Sequence, residues 1–259
     1  MMIKKFLLLT VLVVVCASFT ADKPQGLPFS SSEKLVYDAS YNMSGLMTSF
    51  AEVTMQTSAV KTDKSTLYKF TCAASTYSKW DSYFKIRDLF ECYINPRTLK
   101  PLMYKRDTDE GGHKRYEKYT FDHKNKQVKT IYRNRRGESV KNIPLKGDAR
   151  DLVSTLYYVR SLPIDQAKNG DSKTFKVLFD REEKYVKLSF LGKETISSTL
   201  GSKSCYKIAV DITNEKLLKG KNENILWITA DEHKIPLQIK FNIAVGNGFL
   251  KLKSASGLK

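Results

Sequence analysis

The feature that most constrains this chain is alternation with a period of two. Leu35, Tyr37, Ala39, Tyr41 and Met43 alternate with polar or smaller residues, and Tyr68, Phe70, Cys72 and Ala74 do the same. Phe84, Ile86, Phe90, Cys92 and Ile94 share one parity, and Tyr206, Ile208, Val210 and Ile212 share another. The clearest run is Ile235, Leu237, Ile239, Phe241, Ile243 and Val245, interleaved with Pro236, Gln238, Lys240 and Asn242. Successive strand side chains point to opposite faces, so each run has one apolar face and one wet face. That pattern predicts antiparallel sheets covered on one side only.

Turn chemistry separates the runs. Asn95-Pro96-Arg97, Glu110-Gly111-Gly112, Asn134 to Gly137, Gly201-Ser202 and Gly246-Asn247-Gly248 each lie between strand-like segments. Gly and Asn accept positive φ and Pro presets φ, so each is a candidate hairpin and the succession reads as a meander. One segment has a helical period instead. Val153, Leu156, Tyr157 and Arg160 share a face over about 149–161, with Asp148 as candidate cap, Asp151 in the first turn and Pro163 as the stop. The chain is therefore expected to be mainly β: two curved antiparallel sheets or half-barrels with one central amphipathic α-helix. Residues 33–259 read as a single β-rich domain with two lobes, 33–147 and 169–257. Residues 22–32, with Pro24, Gly26, Pro28 and three serines, read as a flexible N-terminal arm.

The N-terminus reads as an address. Lys4 and Lys5 precede the apolar run Phe6–Val15, and small residues follow at Ala17, Ser18, Thr20 and Ala21. These are the parts of a secretory signal over 1–21, and the run is shorter than the roughly 18–20 residues that span a bilayer. Cys16 raises a lipid anchor, but Val15 before it is larger than the residue such an anchor requires. The expected location is the periplasm or the exterior, with outer-membrane association as an option. Of the remaining Cys72, Cys92 and Cys205, the first two share strand parity; a bridge and buried free thiols both fit.

Charge then narrows the partner. The whole chain carries a formal +17 from 44 Lys+Arg and 27 Asp+Glu. Loss of the signal leaves +15, and residues 100–150 alone contribute +8. Lys114, Arg115, Lys118, Lys124, Lys126, Lys129, Arg133, Arg135 and Arg136 form that region, interleaved with Tyr116, Tyr119, Phe121 and Tyr132. In an exported chain this mixture points away from nucleic acid and toward an anionic envelope component or membrane surface. The plain alternative is a set of solvated strand faces. Tyr116, Lys118, Arg133 and Arg135 are the candidate ligand-binding residues there.

Catalytic and cofactor motifs are not legible. The three histidines, His113, His123 and His233, have no ligand partner at metal spacing, and neither a P-loop nor G-x-S-x-G is present. No catalytic residue, metal or cofactor is therefore expected. Asp88 is the unusual position: its parity matches Phe84, Ile86, Phe90 and Cys92, which turns a carboxylate inward at a cost unless it is paired. Arg160 lies on the apolar helix face. The two are expected to form a partly buried pair tying the helix to the first-half sheet, or else a polar contact inside a ligand cavity.

Several segments resemble an exported bacterial family, domain of unknown function 3108, in its Bacteroides-type members. They are Glu33 to Asp38, Ile86-Arg87-Asp88, Tyr93 to Pro101, Asp151 to Arg160, Leu191 to Glu194, and Trp227 to Asp231 with Ile235-Pro236. They occur in family order over nearly the whole chain after the signal. Ala230 departs from the family's second acidic residue, which weakens a metal reading of that motif. The resemblance implies an exported β-rich domain without assigned activity, and it places Asp88 and Arg160 in matched motifs.

Curved sheets with one apolar face commonly enclose a ligand cavity. The expected function is a non-catalytic periplasmic or cell-envelope protein, a monomer, that binds a lipid or other amphiphile with an anionic head group. Its inner faces would hold the apolar part, and residues 114–136 would meet the head group or a membrane. The alternatives are a glycan-binding or protein-interaction module that stacks on surface tyrosines and Trp80, and a hydrolase of unknown class.

Overall fold

The computed structural model describes residues 26–43, 45–213, 222–243 and 246–259. The signal segment 1–21 and the first residues of the expected arm lie outside them. The first eight strands are β1 (Lys34–Met43), β2 (Leu46–Lys61), β3 (Thr66–Thr76), β4 (Ile86–Ile94), β5 (Pro101–Glu110), β6 (His113–Asp122), β7 (Gln127–Asn134) and β8 (Gly137–Pro144). The helix α1 (Leu152–Arg160) follows. The chain then returns through β9 (Ser172–Phe179), β10 (Glu182–Ser198), β11 (Gly201–Thr213), β12 (Ile225–Thr229), β13 (Pro236–Ile243) and β14 (Gly246–Ser256).

The described strands form one 14-stranded antiparallel sheet, not two. Its order is β8-β7-β6-β5-β4-β3-β2-β1-β14-β13-β12-β11-β10-β9. The expectation of two sheets fails at β1, which pairs with β2 on one side and with β14 on the other. A strand at the start of the chain thus completes the ladder of the strand at its end, and both halves share one set of hydrogen bonds. Sequence-adjacent hairpins account for every other pairing, which is what tight turns dictate. Register shifts at Val36/Tyr37, Ala39/Ser40, Tyr93/Ile94, Phe190/Gly192 and Trp227/Ile228 bend individual strands.

The edges β8 and β9 do not pair with each other, yet the sheet curls far enough to bring them together. Asp180 and Arg181 form the tight turn between β9 and β10, with φ of 50° and 61°. Asp180 reaches Arg106 on β5 and Arg115 on β6, at 2.8 and 2.9 Å. Arg181 donates to the Ser139 hydroxyl on β8 at 2.8 Å. Side chains close the barrel where the backbone ladder stops.

The expected helix forms within its predicted limits but starts later. Arg150 exchanges backbone hydrogen bonds with Lys176 and Leu178 of β9, which holds residues 149–150 extended. Asp151, not Asp148, is therefore the cap, and its carboxylate accepts from the Ser154 amide at 2.9 Å. Burial also exceeds a single stripe. Val153, Ser154, Thr155, Tyr157, Val159 and Arg160 are all buried, because the helix lies within the curl of the sheet. The Tyr157 ring stacks on Phe70 of β3 with centroids 3.7 Å apart.

Two further expectations change. Residues 26–32 are not a free arm: Phe29 is buried and packs edge-on against Phe70 and Tyr157 at 5.5 and 5.0 Å. Gly246 to Gly248 is not a turn but the start of β14, in register with Ile243 to Phe241. Gly248 is needed there because an added Cβ would meet the Phe241 ring at 2.4 Å and the Ser40 carbonyl at 2.5 Å.

Candidate functional site

The helix does not fill the space inside the sheet. A cavity of about 360 Å³ remains between α1 and the concave face. Its wall draws on both halves of the chain: Val53 and Phe90 from the first, Leu156 from the helix, and Leu188, Val210 and Ile239 from the second. These residues hold the inward parity of the alternation that defines the strands. The register follows it across the sheet: Val53 faces Tyr37 on β1, Leu250 faces Ala39 and Ile239, and Val210 faces Leu188. The wall of this volume is almost wholly hydrocarbon.

Few polar groups reach the wall. The Thr155 hydroxyl donates to the Asp151 carbonyl at 2.7 Å, and the Asn224 side-chain oxygen accepts from the Asn242 amide at 2.7 Å. Tyr37, buried, and Lys240, half-buried, also border the cavity, but the Tyr37 hydroxyl is closed off from it, and Lys240 alternates with the lining Ile239 and Phe241. Burial pushes the Tyr37 phenol far above its ordinary range, so it stays protonated.

A separate polar cluster stands on the inward parity of β5 and β6. Glu117 is 1% exposed and accepts from the Tyr119 hydroxyl at 2.6 Å. Arg106 and Arg115 lie 4.0 and 3.6 Å from Glu117 and share Asp180. The Tyr119 hydroxyl in turn accepts from the Arg181 amide at 3.0 Å. Two arginines against two carboxylates balance the charge, so this cluster is the closure already described and presents no spare cation.

Asp88 and Arg160 do not pair. Arg160 meets Glu33, through Nη1 to Oε1 at 2.6 Å and Nη2 to Oε2 at 2.7 Å, with both side chains buried. Its remaining donors reach the carbonyls of Lys234 and His233, at 2.9 and 3.0 Å. Asp88 is not among the partners of the guanidinium. Glu33 continues the parity of Leu35, Tyr37 and Ala39 by one position before β1, and this, with its place at the head of the matched segment Glu33 to Asp38, is the signal that it faces inward.

Asp88 does face inward on β4, as its parity requires, opposite Ala74 and Thr108. Its Oδ1 is buried without a hydrogen-bond partner. Burial, and next the nearby Glu110 carboxylate, raise its pKa to about 7. The residue lies two positions from Phe90, which lines the cavity.

The four basic-region candidates stand elsewhere. Tyr116 and Arg133 face each other across β6 and β7, with the guanidinium 4.8 Å from the ring centroid. Tyr116 and Lys118 alternate with the buried Glu117 and Tyr119, so they take the outer face of the sheet. Arg135, in the β7–β8 turn, donates to the Gly112 carbonyl at 2.8 Å. None of these four lines the cavity. Cys72 and Cys92 are unbridged; the Cys92 thiol donates to Asp151 at 3.0 Å instead.

One sheet curled around a helix, with an apolar volume left inside, defines a β-barrel-like protein with an internal cavity. Within that class the chain belongs to the DUF3108 family of proteins of unknown function, whose model matches residues 36–253. No curated protein matches the sequence. Among solved structures, the chain resembles a beta-barrel-like protein of the domain of unknown function DUF1849 from Brucella abortus, at TM-score 0.55 and 7% identity, over 87% of this chain and 97% of that one. It also matches a putative exported protein with YmcC-like fold from Bacteroides fragilis at TM-score 0.37 and 9% identity, over 89% of this chain and 98% of that one. The first likeness supports the barrel-like fold. No helix among the described residues is long and apolar enough to cross a membrane.

Proposed function

We propose that this protein is an exported, non-catalytic component of the cell envelope that binds a lipid or other amphiphile with an anionic head group. The observation that carries this reading is the cavity of about 360 Å³ between α1 and the concave face, walled almost wholly by hydrocarbon. An unfilled apolar void of this size forfeits dispersion contacts that an apolar occupant would restore. Export rests on the Lys4-Lys5 and Phe6–Val15 pattern. Lys240 borders the cavity but alternates with the lining Ile239 and Phe241 on β13, so its side chain takes the outer face of the sheet. Tyr116, Lys118 and Arg133, also on the outer face, suit peripheral contact with an anionic membrane surface.

The test is a titration of the purified, delipidated chain with a fluorescent fatty-acid analogue, alongside native mass spectrometry of the undelipidated protein. Saturable one-to-one binding, displaced by unlabelled fatty acid, is expected, together with a co-purified amphiphile in the mass spectrum. Absence of both overturns the reading.

A further inference from the structure

The large hydrophobic side chains left exposed are not scattered evenly. Among the described residues they number eight, and four of them, Leu46, Met47, Tyr83 and Phe84, crowd one end of the sheet at 71, 40, 80 and 54% exposure. Neighbouring strands run in opposite directions, so the β1–β2, β3–β4, β5–β6 and β7–β8 connections all lie at that end. Single exposed apolar residues are ordinary, but a contiguous group marks a contact surface.

Packing makes this group contiguous. The β1–β2 hairpin runs on for five residues past Ala51, where β2 stops pairing with β3, a reach of roughly 17 Å. The 77–85 segment folds against it, and the Trp80 indole donates to the Ser49 carbonyl at 2.9 Å. The Trp80 and Tyr83 rings lie 5.7 Å apart. Phe84 covers the β5–β6 turn, where a Cβ added to Gly111 would meet its ring at 2.9 Å. Arg135 reaches the same turn from the next connection, through the Gly112 carbonyl at 2.8 Å.

Charge decides what the surface meets. The connections 77–85, 111–112 and 135–136 carry Lys79, Lys85, Arg135 and Arg136, all exposed, against Asp81 alone. Arg87 holds Asp81 at 2.5 Å, so its charge is spent within the loop. Apolar tips, then Trp and Tyr, then cations follow the layering of a bilayer: hydrocarbon, interface, anionic head groups. A protein partner would have to bring an apolar face and an acidic rim together, whereas an anionic bilayer supplies both. We propose that this end of the sheet docks on an anionic lipid bilayer. Leu46, Met47, Tyr83 and Phe84 enter the acyl boundary, and the four cations meet the head groups. The proposal rests on the peripheral membrane contact in the reading above and names the part that inserts. Tyr116 and Arg133 continue the surface up the outer face, three residues and one residue from the ends of their strands.

The test is flotation of the purified protein with vesicles of equimolar phosphatidylcholine and phosphatidylglycerol, and with phosphatidylcholine alone. The wild type is expected to partition onto the anionic vesicles at least about tenfold more strongly than onto the neutral ones. Tyr83→Ser with Phe84→Ser, and separately Lys79→Glu with Lys85→Glu, are each expected to weaken partitioning onto the anionic vesicles about tenfold. All four side chains are exposed, so the urea midpoints of these variants should match the wild type, which separates lost docking from lost folding. Brominated acyl chains should quench Trp80, and the quenching should vanish in Trp80→Phe, where the buried Trp227 is the remaining tryptophan. Anionic-vesicle binding that survives both double variants without quenching overturns this inference alone and leaves a purely electrostatic contact through the outer face. Binding to neither vesicle overturns the membrane contact and this inference together, and leaves the exposed rings to a protein partner.

Discussion

Arg160 and Glu33 form a two-pronged ion pair, 2.6 and 2.7 Å long, between the last residue of the helix and the residue before the first strand. The guanidinium is flanked by the Phe29 and Tyr157 rings, 5.3 and 5.4 Å from their centroids, and is completely buried. The helix is thus fastened at the seam where β1 pairs with both β2 and β14. A buried pair is costly to halve, because the surviving charge has neither water nor partner.

Glu33→Gln or Arg160→Met is therefore expected to destabilise the protein by about 3–5 kcal/mol. The double variant Glu33→Gln with Arg160→Met removes both charges and is expected to recover a large part of that loss. Urea unfolding of the four proteins measures it as a double-mutant cycle. Purely additive losses would refute the pair as the cause.

Closure of the sheet by Asp180 makes a different prediction. Asp180 is partly exposed, with a side chain 46% accessible, and its ion pairs with Arg106 and Arg115 are the screened kind. Asp180→Ala is expected to lower global stability by about 1 kcal/mol. The larger effect is local: amide exchange in β9 and the start of β10 should accelerate relative to β1 and β14, and high salt should reproduce it in the wild type. Uniform acceleration across the sheet would show that the turn does not act as a clasp.

Asp88 sets a pH dependence with a definite sign. Its folded pKa of about 7 lies above the unfolded carboxylate value near ~4, so the folded state holds the proton more tightly. Stability from this group is complete below the unfolded value and is lost as pH rises from about 4 through about 7. Half-exposure screens the effect, so a loss of about 1–2 kcal/mol is expected across that window. Asp88→Asn removes the titration, and thermal melts from pH 4 to 8 should show a flatter profile than the wild type. An unchanged slope would assign the dependence to other groups.

The fold was legible where local rules act alone. Alternation placed the strands, Gly111-Gly112 placed a hairpin through φ of 59° and 81°, and Pro163 marked the limit of the helix. What escaped were the relations between distant segments. The β1–β14 ladder joins residues more than 200 positions apart, and no period in the sequence records it. Glu33 as the partner of Arg160 belongs to the same class, since parity turns it inward without recording what it meets. Asp88 was readable as inward-facing but not as unpaired. The basic residues 114–136 were legible as a cluster, yet composition alone does not reveal that Tyr116 and Lys118 alternate with the buried Glu117 and Tyr119 and so face away from the cavity.

The cysteines give a chemical check on the interior. Burial pushes the Cys72 thiol up to about 12 and Cys205 to about 11, and it holds Cys92, beside Asp151, well above its usual value. The thiolate is the reactive form, so all three should resist a thiol reagent at pH 8 while the protein is folded. In a Cys16→Ser chain, no fast-reacting thiol is expected under native conditions and three on unfolding in denaturant. A fast native equivalent mapping to Cys72 would show that the cavity wall opens to water.

Filling the cavity separates its volume from its fold. Val210 and Leu188 face each other on β11 and β10 and both line it. Adding atoms to a packed core ordinarily costs about 1–3 kcal/mol, because neighbours must move. Here the extra ring of Val210→Phe or Leu188→Trp has empty space to enter, so stability should stay within about 1 kcal/mol of the wild type or rise as dispersion contacts are gained. Affinity for a fatty-acid analogue should fall at least about tenfold in the same variants, since ring and acyl chain compete for one volume. Urea unfolding and the probe titration together read the two quantities. Marked destabilisation with unchanged binding would mean that the space beside Val210 and Leu188 is already filled and that amphiphiles bind elsewhere.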